Sequence, residues 1–230
     1  MGSIASNLQQ VKGRIAAACA GAGRNAQSVT LLAVSKTFPA DAVREAHAAG
    51  QRALGENYVQ EGIAKVDALA DLRRGLEWHL IGPLQSNKTR PVAERFDWVH
   101  SVDRLKIAER LAEQRPAMLP PLNLCLQVNI SGEASKSGVA PGDLPALAAA
   151  VAALPPGRVR LRGLMAIPEP ADTPDAQRAP HRALAALLAD LQRRGLALDT
   201  LSMGMSADLE AAVAEGATLV RIGTAIFGQR

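Results

Sequence analysis

Aromatic side chains are scarce in this sequence of 230 residues. Tryptophan, tyrosine and phenylalanine make up 3% of the chain, and Tyr58 is the single tyrosine. Proteins that bind single-stranded nucleic acids commonly stack the bases on exposed aromatic rings. The net charge is +4, but the basic residues are dispersed along the chain. We therefore predict no nucleic-acid interface, and a mildly basic surface that favours small anionic ligands.

Cysteines and long apolar runs are also few. No apolar stretch reaches the roughly 18 residues that a membrane-spanning helix needs, and the first residues show no basic-then-apolar signal pattern. We therefore predict no membrane association and a cytoplasmic location. In that compartment Cys19 and Cys125 are predicted to be buried, reduced thiols rather than a disulfide. The hydrophobic share of 48% and the charged share of 21% are typical of a globular protein with a sizeable core.

Short apolar strands alternate with helical stretches along the chain. The sequence predicts eight strands, at residues 29–35, 52–56, 77–82, 97–101, 122–129, 159–167, 200–203 and 218–223. Helices are predicted near residues 3–22, 40–49, 57–73, 87–95, 141–153, 175–194 and 206–215. A further helix follows Ser101-Val102-Asp103 and ends near residue 114, and a final turn starts at Thr224. Eight βα units favour a single α/β domain, residues 1–230, folded as a (β/α)8 TIM barrel with an extra N-terminal helix.

A doubly wound open sheet is the alternative to the barrel. That fold predicts a glycine-rich phosphate loop after the first strand. The segment here is Lys36-Thr37-Phe38-Pro39, which contains no glycine. The sequence therefore favours the barrel.

Lys36 follows the first predicted strand, at the barrel end where TIM-barrel active sites lie. A lysine in a pocket there can act as a neutral amine and form a Schiff base with a carbonyl compound. The alternative is a lysine held in a surface ion pair.

Two segments after the seventh and eighth strands resemble phosphate sites. TIM barrels often hold a phosphate between these two loops, at the N-terminus of a short helix. Ser202-Met203-Gly204-Met205-Ser206 and Gly223-Thr224 supply glycines for close backbone approach and hydroxyl groups for hydrogen bonds. Tight turns with helix-capping residues are the alternative interpretation, and Asn57, Asn87 and Ser206 can each be a helix cap.

Arg221 lies within the eighth predicted strand. A buried arginine needs either a structural ion pair or a ligand. A lysine, an arginine and a phosphate site at one barrel mouth suggest a phosphorylated aldehyde, and pyridoxal 5′-phosphate fits that description. Arginine is a permanent donor, so a pyridine nitrogen facing it would stay unprotonated, which weakens the ring as an electron sink.

Six motifs in order resemble the pyridoxal phosphate homeostasis protein family, also called the YggS family in bacteria. They are Val34-Ser35-Lys36-Thr37, Gly55-Glu56-Asn57-Tyr58, the run from Trp78 to Lys88, Gly163-Leu164-Met165, the run from Leu201 to Ser206, and Val220-Arg221-Ile222-Gly223-Thr224. The match extends from about residue 29 to the C-terminus.

The resemblance implies a barrel similar to the N-terminal domain of alanine racemase. It implies that Lys36 carries pyridoxal 5′-phosphate as an internal aldimine and that Arg221 faces the pyridine nitrogen. It also implies that Asn57 and Met203 approach the cofactor. The segments that hold the phosphate would contain Ser202, Gly204, Ser206, Gly223 and Thr224.

The family is regarded as a carrier or buffer of the cofactor without established turnover. Apo forms of pyridoxal-phosphate-dependent enzymes are then the candidate partners. We predict no metal, and a monomer or a weak dimer.

A monodomain amino-acid racemase is the alternative function. Racemisation needs an acid/base group on each face of the substrate. In the resembled racemases the second group is a tyrosine from another domain, and this chain ends at Arg230, directly after the eighth unit. Tyr58 is predicted to pack, and Lys36 can serve one face only.

The histidines offer no obvious second base. His79 and His100 lie in strand patterns and are predicted to be structural, and His47 and His181 lie on helices and are predicted to be solvated. We therefore predict a carrier. A Schiff-base aldolase that acts on a sugar phosphate is a third hypothesis.

Overall fold

The computed structural model describes residues 2–132 and 137–229 and contains a closed barrel of eight parallel strands. Strands are neighbours in chain order, and the last strand pairs with the first. The strands are β1 Thr30–Val34, β2 Ala53–Glu56, β3 Glu77–Leu80, β4 Trp98–Val102, β5 Leu122–Gln127, β6 Val159–Met165, β7 Thr200–Ser202 and β8 Leu219–Ile222. The predicted TIM barrel is confirmed, and the open sheet is excluded.

Helices surround the barrel. They are α1 Ile4–Gly21, α2 Ala40–Ala48, α3 Val59–Ala68, α4 Thr89–Arg95, α5 Leu105–Gln114, α6 Leu144–Ala152, α7 Pro174–Arg193, α8 Leu209–Ala214 and α9 Thr224–Phe227, with 3₁₀ turns at Ala26–Ser28, Ala70–Gly75 and Ser86–Lys88. Within residues 2–132 and 137–229, no helix is both long and apolar enough to cross a membrane.

Several helices are shorter than predicted, and for two of them the structure shows why. The helix predicted over 57–73 ends at Ala68, where the chain turns into a 3₁₀ segment whose Asp71 forms an ion pair with Arg44 of α2. The helix predicted from residue 206 begins at Leu209, because the Asp208 side chain first accepts a hydrogen bond from the Met205 amide at 2.7 Å and closes a turn.

Alternate residues of each strand face the helices and the barrel interior. One part of the interior is apolar and consists of Leu32, Val34, Ala53, Ile81 and Leu219. The other part contains Trp98, Cys125 and Met165, together with buried polar side chains: His79, His100, Ser202 and Arg221. Buried polar groups need hydrogen-bond partners, so this half of the interior has to be a connected network.

The N-terminal helix α1 joins the barrel through its apolar face, which buries Leu8, Val11, Ile15 and Cys19. Arg14 of α1 forms a bidentate ion pair with Glu210 of α8, at 2.9 and 3.0 Å. The Asn7 amide nitrogen donates to the Ile226 carbonyl of α9 at 2.8 Å. The predicted extra helix is thus confirmed, and it supports the last two units of the barrel.

Both cysteines are free and buried. Cys125 lies in the barrel interior, where burial raises the pKa of its thiol to about 12. The thiol therefore stays protonated at neutral pH. The prediction of buried reduced cysteines is confirmed.

Gly163 allows β6 and β7 to approach closely. It lies opposite Thr200 in the parallel register. A Cβ atom at position 163 would lie 1.8 Å from the Thr200 carbonyl oxygen, far inside van der Waals contact. The glycine of the Gly163-Leu164-Met165 motif is therefore required for packing.

We expect Gly163→Ala to lower the free energy of unfolding by about 2–3 kcal/mol, because the methyl group forces the two strands apart. Denaturant unfolding measures the change. Gly13→Ala is the matched control: it lies on α1, and an added Cβ there meets nothing within 4 Å. It should be neutral or stabilising by up to about 1 kcal/mol. Equal stabilities of the two variants would contradict the close approach at Gly163.

Candidate functional site

A cavity of about 810 Å³ opens at the C-terminal end of the barrel. It is lined by Val34, Lys36, Phe38, Asn57, Ile81, Ile167, Met205, Ser206, Ala207, Arg221, Gly223, Thr224, Gly228 and Gln229. Six of the nine predicted site residues are among them, namely Lys36, Asn57, Ser206, Arg221, Gly223 and Thr224. The barrel therefore brings together side chains from both ends of the sequence.

Lys36 lies two residues past the end of β1 and is partly exposed to this cavity. Within the described ranges, its amine has no hydrogen-bond or ion-pair partner. The alternative of a lysine held in an ion pair thus finds no support. An unengaged amine on a cavity wall is available to a ligand.

Side chains of α3 hold the backbone on both sides of Lys36. The Lys65 amine donates to the Ser35 carbonyl at 2.6 Å, and the Thr37 amide donates to the Glu61 carboxylate. Thr37 has a φ of 67°, the left-handed region. That conformation costs about 1–2 kcal/mol, and it persists where neighbouring bonds determine the backbone. The lysine is therefore presented by a fixed segment.

Glu56, the last residue of the neighbouring strand β2, completes this support. Its Oε1 accepts hydrogen bonds from Lys65 at 2.8 Å and from the Ser35 hydroxyl at 2.6 Å, while Oε2 is buried without a partner among the described residues. Burial raises the pKa of Glu56, and the hydrogen bonds from Lys65 and Ser35 oppose that rise. Sequence reasoning missed Lys65, because a lysine four residues after a glutamate on a helix is typical of a surface ion pair.

Backbone amides gather where the sequence predicts a phosphate. In the described part of the chain, the N–H groups of Ser206, Ala207, Gly223 and Thr224 have no acceptor. The hydroxyls of Ser206 and Thr224 line the same cavity. A Cβ at Gly223 would lie 3.1 Å from the Val34 carbonyl oxygen, so glycine allows β8 to end close to β1. Unpaired amides with hydroxyls form a typical oxyanion or phosphate cup.

The alternative of simple helix caps does not describe these loops. Tyr58, not Asn57, occupies the N-cap position of α3, and Asp208, not Ser206, occupies that of α8. The Asn57 side-chain oxygen Oδ1 is buried, and no described residue offers it a hydrogen bond. Because Asn57 lines the cavity, a ligand donor there would satisfy this oxygen.

Arg221 is buried and directed to the same cavity. Its Nη1 donates to the Ser202 carbonyl at 2.5 Å and to the Ser202 hydroxyl at 2.9 Å, and its Nη2 donates to the Ala166 carbonyl at 2.8 Å. None of the described carboxylates forms an ion pair with it, so the ion-pair alternative finds no support. Burial lowers the pKa of Arg221 to about 10, which leaves a cation at neutral pH with two N–H groups still available.

The other three predicted residues do not line the cavity. Ser202 is fully buried behind Arg221. Met203 is fully buried in the hydrophobic core outside the barrel. Gly204 has a φ of 92°, and a Cβ there would lie 2.5 Å from that of Ala212. These residues shape the segment, while Met205 and Ser206 reach the cavity.

Two predictions about polar side chains are wrong. His181, predicted to be solvated, is buried, and its Nε2 lies 2.9 Å from Asp208 Oδ2. Tyr58, predicted to pack, is 57% exposed. His79 and His100, which were predicted to be structural, are both fully buried.

Sequence reasoning also missed the apolar wall of the cavity. Phe38, Ile81, Ile167 and Met205 line it, and Phe38 packs on Phe227 with ring centroids 5.3 Å apart. Met205 lies between the predicted site residues Gly204 and Ser206, and Phe38 lies two residues after Lys36, so both positions were close to predicted ones. The contribution of Gly228 and Gln229 carries no sequence signal.

The raised pKa of Glu56 gives a prediction with a definite sign. A carboxyl whose pKa is higher in the folded state binds protons more tightly there, so its contribution to stability falls as pH rises from the ordinary carboxyl range through the folded-state pKa. We expect the stability of the wild type relative to Glu56→Gln to be greatest near pH 4 and to decline toward pH 7, as measured by denaturant unfolding.

Glu109→Gln, on the exposed face of α5, is the control for that experiment. The stability change of Glu56→Gln is compared with that of Glu109→Gln at each pH. A Glu56→Gln difference that grew with pH would show that Lys65 outweighs burial and would contradict the stated sign.

Comparisons with known proteins agree with this geometry. The family model described as the alanine racemase N-terminal domain matches residues 3–230. The pyridoxal phosphate homeostasis protein of Pseudomonas aeruginosa is 66% identical over 230 residues, which cover 100% of this chain and 97% of that protein.

Solved structures share the barrel. PipY of Synechococcus elongatus, whose structure has pyridoxal phosphate bound, is 43% identical, with a TM-score of 0.84 and coverage of 98% of this chain and 100% of that one. Alanine racemase of Corynebacterium glutamicum is 19% identical, with a TM-score of 0.72 over 99% of this chain and 61% of the enzyme, which shows the fold alone. The chain thus belongs to the pyridoxal phosphate homeostasis protein family, whose barrel is that of the alanine racemase N-terminal domain.

Proposed function

We propose that this protein binds pyridoxal 5′-phosphate covalently through Lys36 and carries it without turning over a substrate. The observation that carries the proposal is the composition of the 810 Å³ cavity. It contains a lysine amine with no partner among the described residues, facing a set of unpaired amides and an arginine. The bound pyridoxal phosphate of PipY, a relative with 43% identity, supports the proposal.

The donor set of the cavity fits this ligand. Lys36 would hold the aldehyde carbon, and the amides of Ser206, Ala207, Gly223 and Thr224 would hold the phosphate. The buried Oδ1 of Asn57, which lacks a partner among the described residues, would accept a hydrogen bond from the ligand. When bound, pyridoxal phosphate supplies an aldehyde that condenses with a primary amine.

Arg221 determines which chemistry the site favours. Its guanidinium donates and does not accept, so a pyridine nitrogen in front of it would remain unprotonated. An unprotonated ring is a weak electron sink. The free Nε and Nη2 hydrogens of Arg221 would therefore bind and orient the ring while limiting its reactivity.

The cavity offers one proton-transfer group. Among the described residues that line it, only Lys36 and Arg221 carry ionisable side chains, and Arg221 does not release its proton at neutral pH. Racemisation needs an acid/base group on each face. A protein with a single such group is better suited to holding the cofactor than to using it.

A reversible attachment allows the cofactor to be passed on. We propose that apo forms of pyridoxal-phosphate-dependent enzymes receive it, that the protein acts in the cytoplasm, and that it works as a monomer or a weak dimer. The 66% identical relative is named pyridoxal phosphate homeostasis protein, and that name supports a homeostatic role.

We expect pyridoxal phosphate to give the wild-type protein a visible absorbance band that Lys36→Ala loses almost completely, because no other amine lines the described cavity. Borohydride reduction followed by peptide mass spectrometry should locate the adduct on Lys36. Lys106→Ala, at an exposed position of α5, should keep the band. An unmodified Lys36 after reduction would refute the proposal. A sugar-phosphate adduct on a colourless protein would indicate an aldolase.

We also expect no exchange of the α-proton when the loaded protein is incubated with amino acids in heavy water, beyond the rate of free pyridoxal phosphate at equal concentration. The physical reason is the missing second acid/base group. Proton NMR measures the exchange, and the Lys36→Ala protein supplies the background. Exchange at catalytic rates, roughly 1 s⁻¹ or faster, would establish an enzyme and refute the carrier.

A further inference from the structure

A line of buried hydrogen bonds runs through the barrel interior to Arg221. Glu77 Oε1 lies 2.8 Å from His79 Nε2, and His79 Nδ1 lies 2.9 Å from His100 Nε2. His100 Nδ1 lies 2.8 Å from the Ser202 hydroxyl, which accepts from Arg221 at 2.9 Å. We call Glu77, His79, His100 and Ser202 the relay.

The two ends of the relay lie at opposite ends of the barrel. Glu77 is the first residue of β3 and its side chain is 49% exposed, whereas the His79 side chain is 1% exposed. Arg221 lies near the end of β8 and lines the cavity of the proposed site. The relay thus connects solvent at the N-terminal end of the barrel with the ligand cavity at the other.

The donors and acceptors fix the direction of every hydrogen in the relay. Arginine only donates, so the Ser202 hydroxyl accepts from it. With Glu77 ionised and both imidazoles neutral, His79 has to donate to Glu77 and accept from His100, and the Ser202 hydroxyl therefore directs its own hydrogen to His100 Nδ1. A neutral His100 then carries its hydrogen on Nε2 and donates to His79 Nδ1. His79 in turn donates from Nε2 to the Glu77 carboxylate. All four hydrogen bonds therefore point from the cation toward the carboxylate.

The surroundings support these protonation states. His100 is fully buried, and this burial is the main cause that lowers its pKa well below the usual value, so the imidazole is neutral. The hydrogen bond from His79 lowers the pKa of Glu77 against the effect of burial, and Arg162 adds to it.

Other charged groups facing Arg221 are already engaged or neutral. Asp208 interacts with the guanidinium at a distance but is hydrogen-bonded to His181. The buried Cys125 thiol is protonated. The hydrogen bonds of the relay therefore connect Arg221 to one carboxylate, that of Glu77.

We propose that Glu77, His79 and His100 are positioning residues for Arg221, and that the relay transmits the charge of Glu77 through the barrel to the cavity. Chains of hydrogen bonds polarise one another in a low-dielectric interior. A carboxylate at the solvent end would then stabilise the guanidinium and any protonated group beside it. The consequence for a bound ligand rests on the proposed function, whereas the relay itself does not.

The test uses Glu77→Gln, which keeps an oxygen acceptor for His79 but removes the charge. The first measurement is imidazole ¹⁵N NMR on the protein without added cofactor. His100 should be protonated on Nε2 and unprotonated on Nδ1. Its resonances should move in Glu77→Gln, although the two residues do not touch, and should stay in place in Glu109→Gln. A His100 protonated on Nδ1, or unmoved by Glu77→Gln, would overturn the relay.

The second measurement titrates the visible band of the pyridoxal-phosphate-loaded protein against pH. Loss of a negative charge disfavours the protonated form of the bound chromophore, so the midpoint should fall by roughly half a pH unit in Glu77→Gln. It should not move in Glu109→Gln. In a His100→Gln background the effect of Glu77→Gln should disappear. An equal shift in both backgrounds would show that the charge acts through space, and would overturn transmission by the relay.

The two measurements separate the two proposals. If the wild type forms no band, the proposed function fails, and the NMR result still decides whether the relay exists. If the band forms but titrates identically in the wild type and Glu77→Gln, covalent binding stands and the transmitted charge is refuted.

Discussion

Parallel pairing between β1 and β8 places Leu32 opposite Arg221 and Ala33 opposite Ile222, residues from opposite ends of the chain. The pairing closes the barrel, and it puts the segment after β1, with Lys36, beside the segment after β8, with Gly223 and Thr224. The absence of a side chain at Gly223 permits this contact, because Val34 lies directly against it. Without closure there would be a lysine, a set of amides and an arginine, but no common cavity.

Buried charges organise the surroundings of this cavity in two different ways. Lys65 is satisfied by two carboxylates and the Ser35 carbonyl, and so it fixes the backbone that carries Lys36. Arg221 is satisfied by two carbonyls and a hydroxyl, and it retains donors for a ligand. Removing one partner from such a group is costly, because the remaining charge stays buried. Both cations therefore confer rigidity where the family resemblance places the cofactor, and Lys36 has no partner among the residues that the structure describes.

The fold was predictable because its signals are local. Apolar runs of four to eight residues mark buried strands, and strand-helix alternation indicates parallel pairing. Lys36 and Thr224 were predictable from their positions after strands, and Arg221 and Gly223 from their positions near the end of the eighth strand. The side chains of Ser202 and Met203 were harder to place, because β7 has only three residues and its register decides which side faces inward. His181 was predicted to be solvated, because its partner Asp208 comes from another unit and one sequence does not show which helix face meets it. Lys65 was not singled out, since a lysine four residues after Glu61 is typical of a surface ion pair.

The segments that form the candidate phosphate site lie late in the sequence. Helix α1, near its start, supports them through the hydrogen bond from the Asn7 side chain to the Ile226 carbonyl. A chain still being translated has β1 and Lys36 but lacks β8, so it has neither a closed barrel nor the amides after Ile222. Contacts between such distant segments are slow to form. The closed barrel and its candidate site can therefore form only after β8 has been translated. On the proposed function, a ribosome-bound chain that lacks β8 has no site with which to withdraw ligand from the cellular pool.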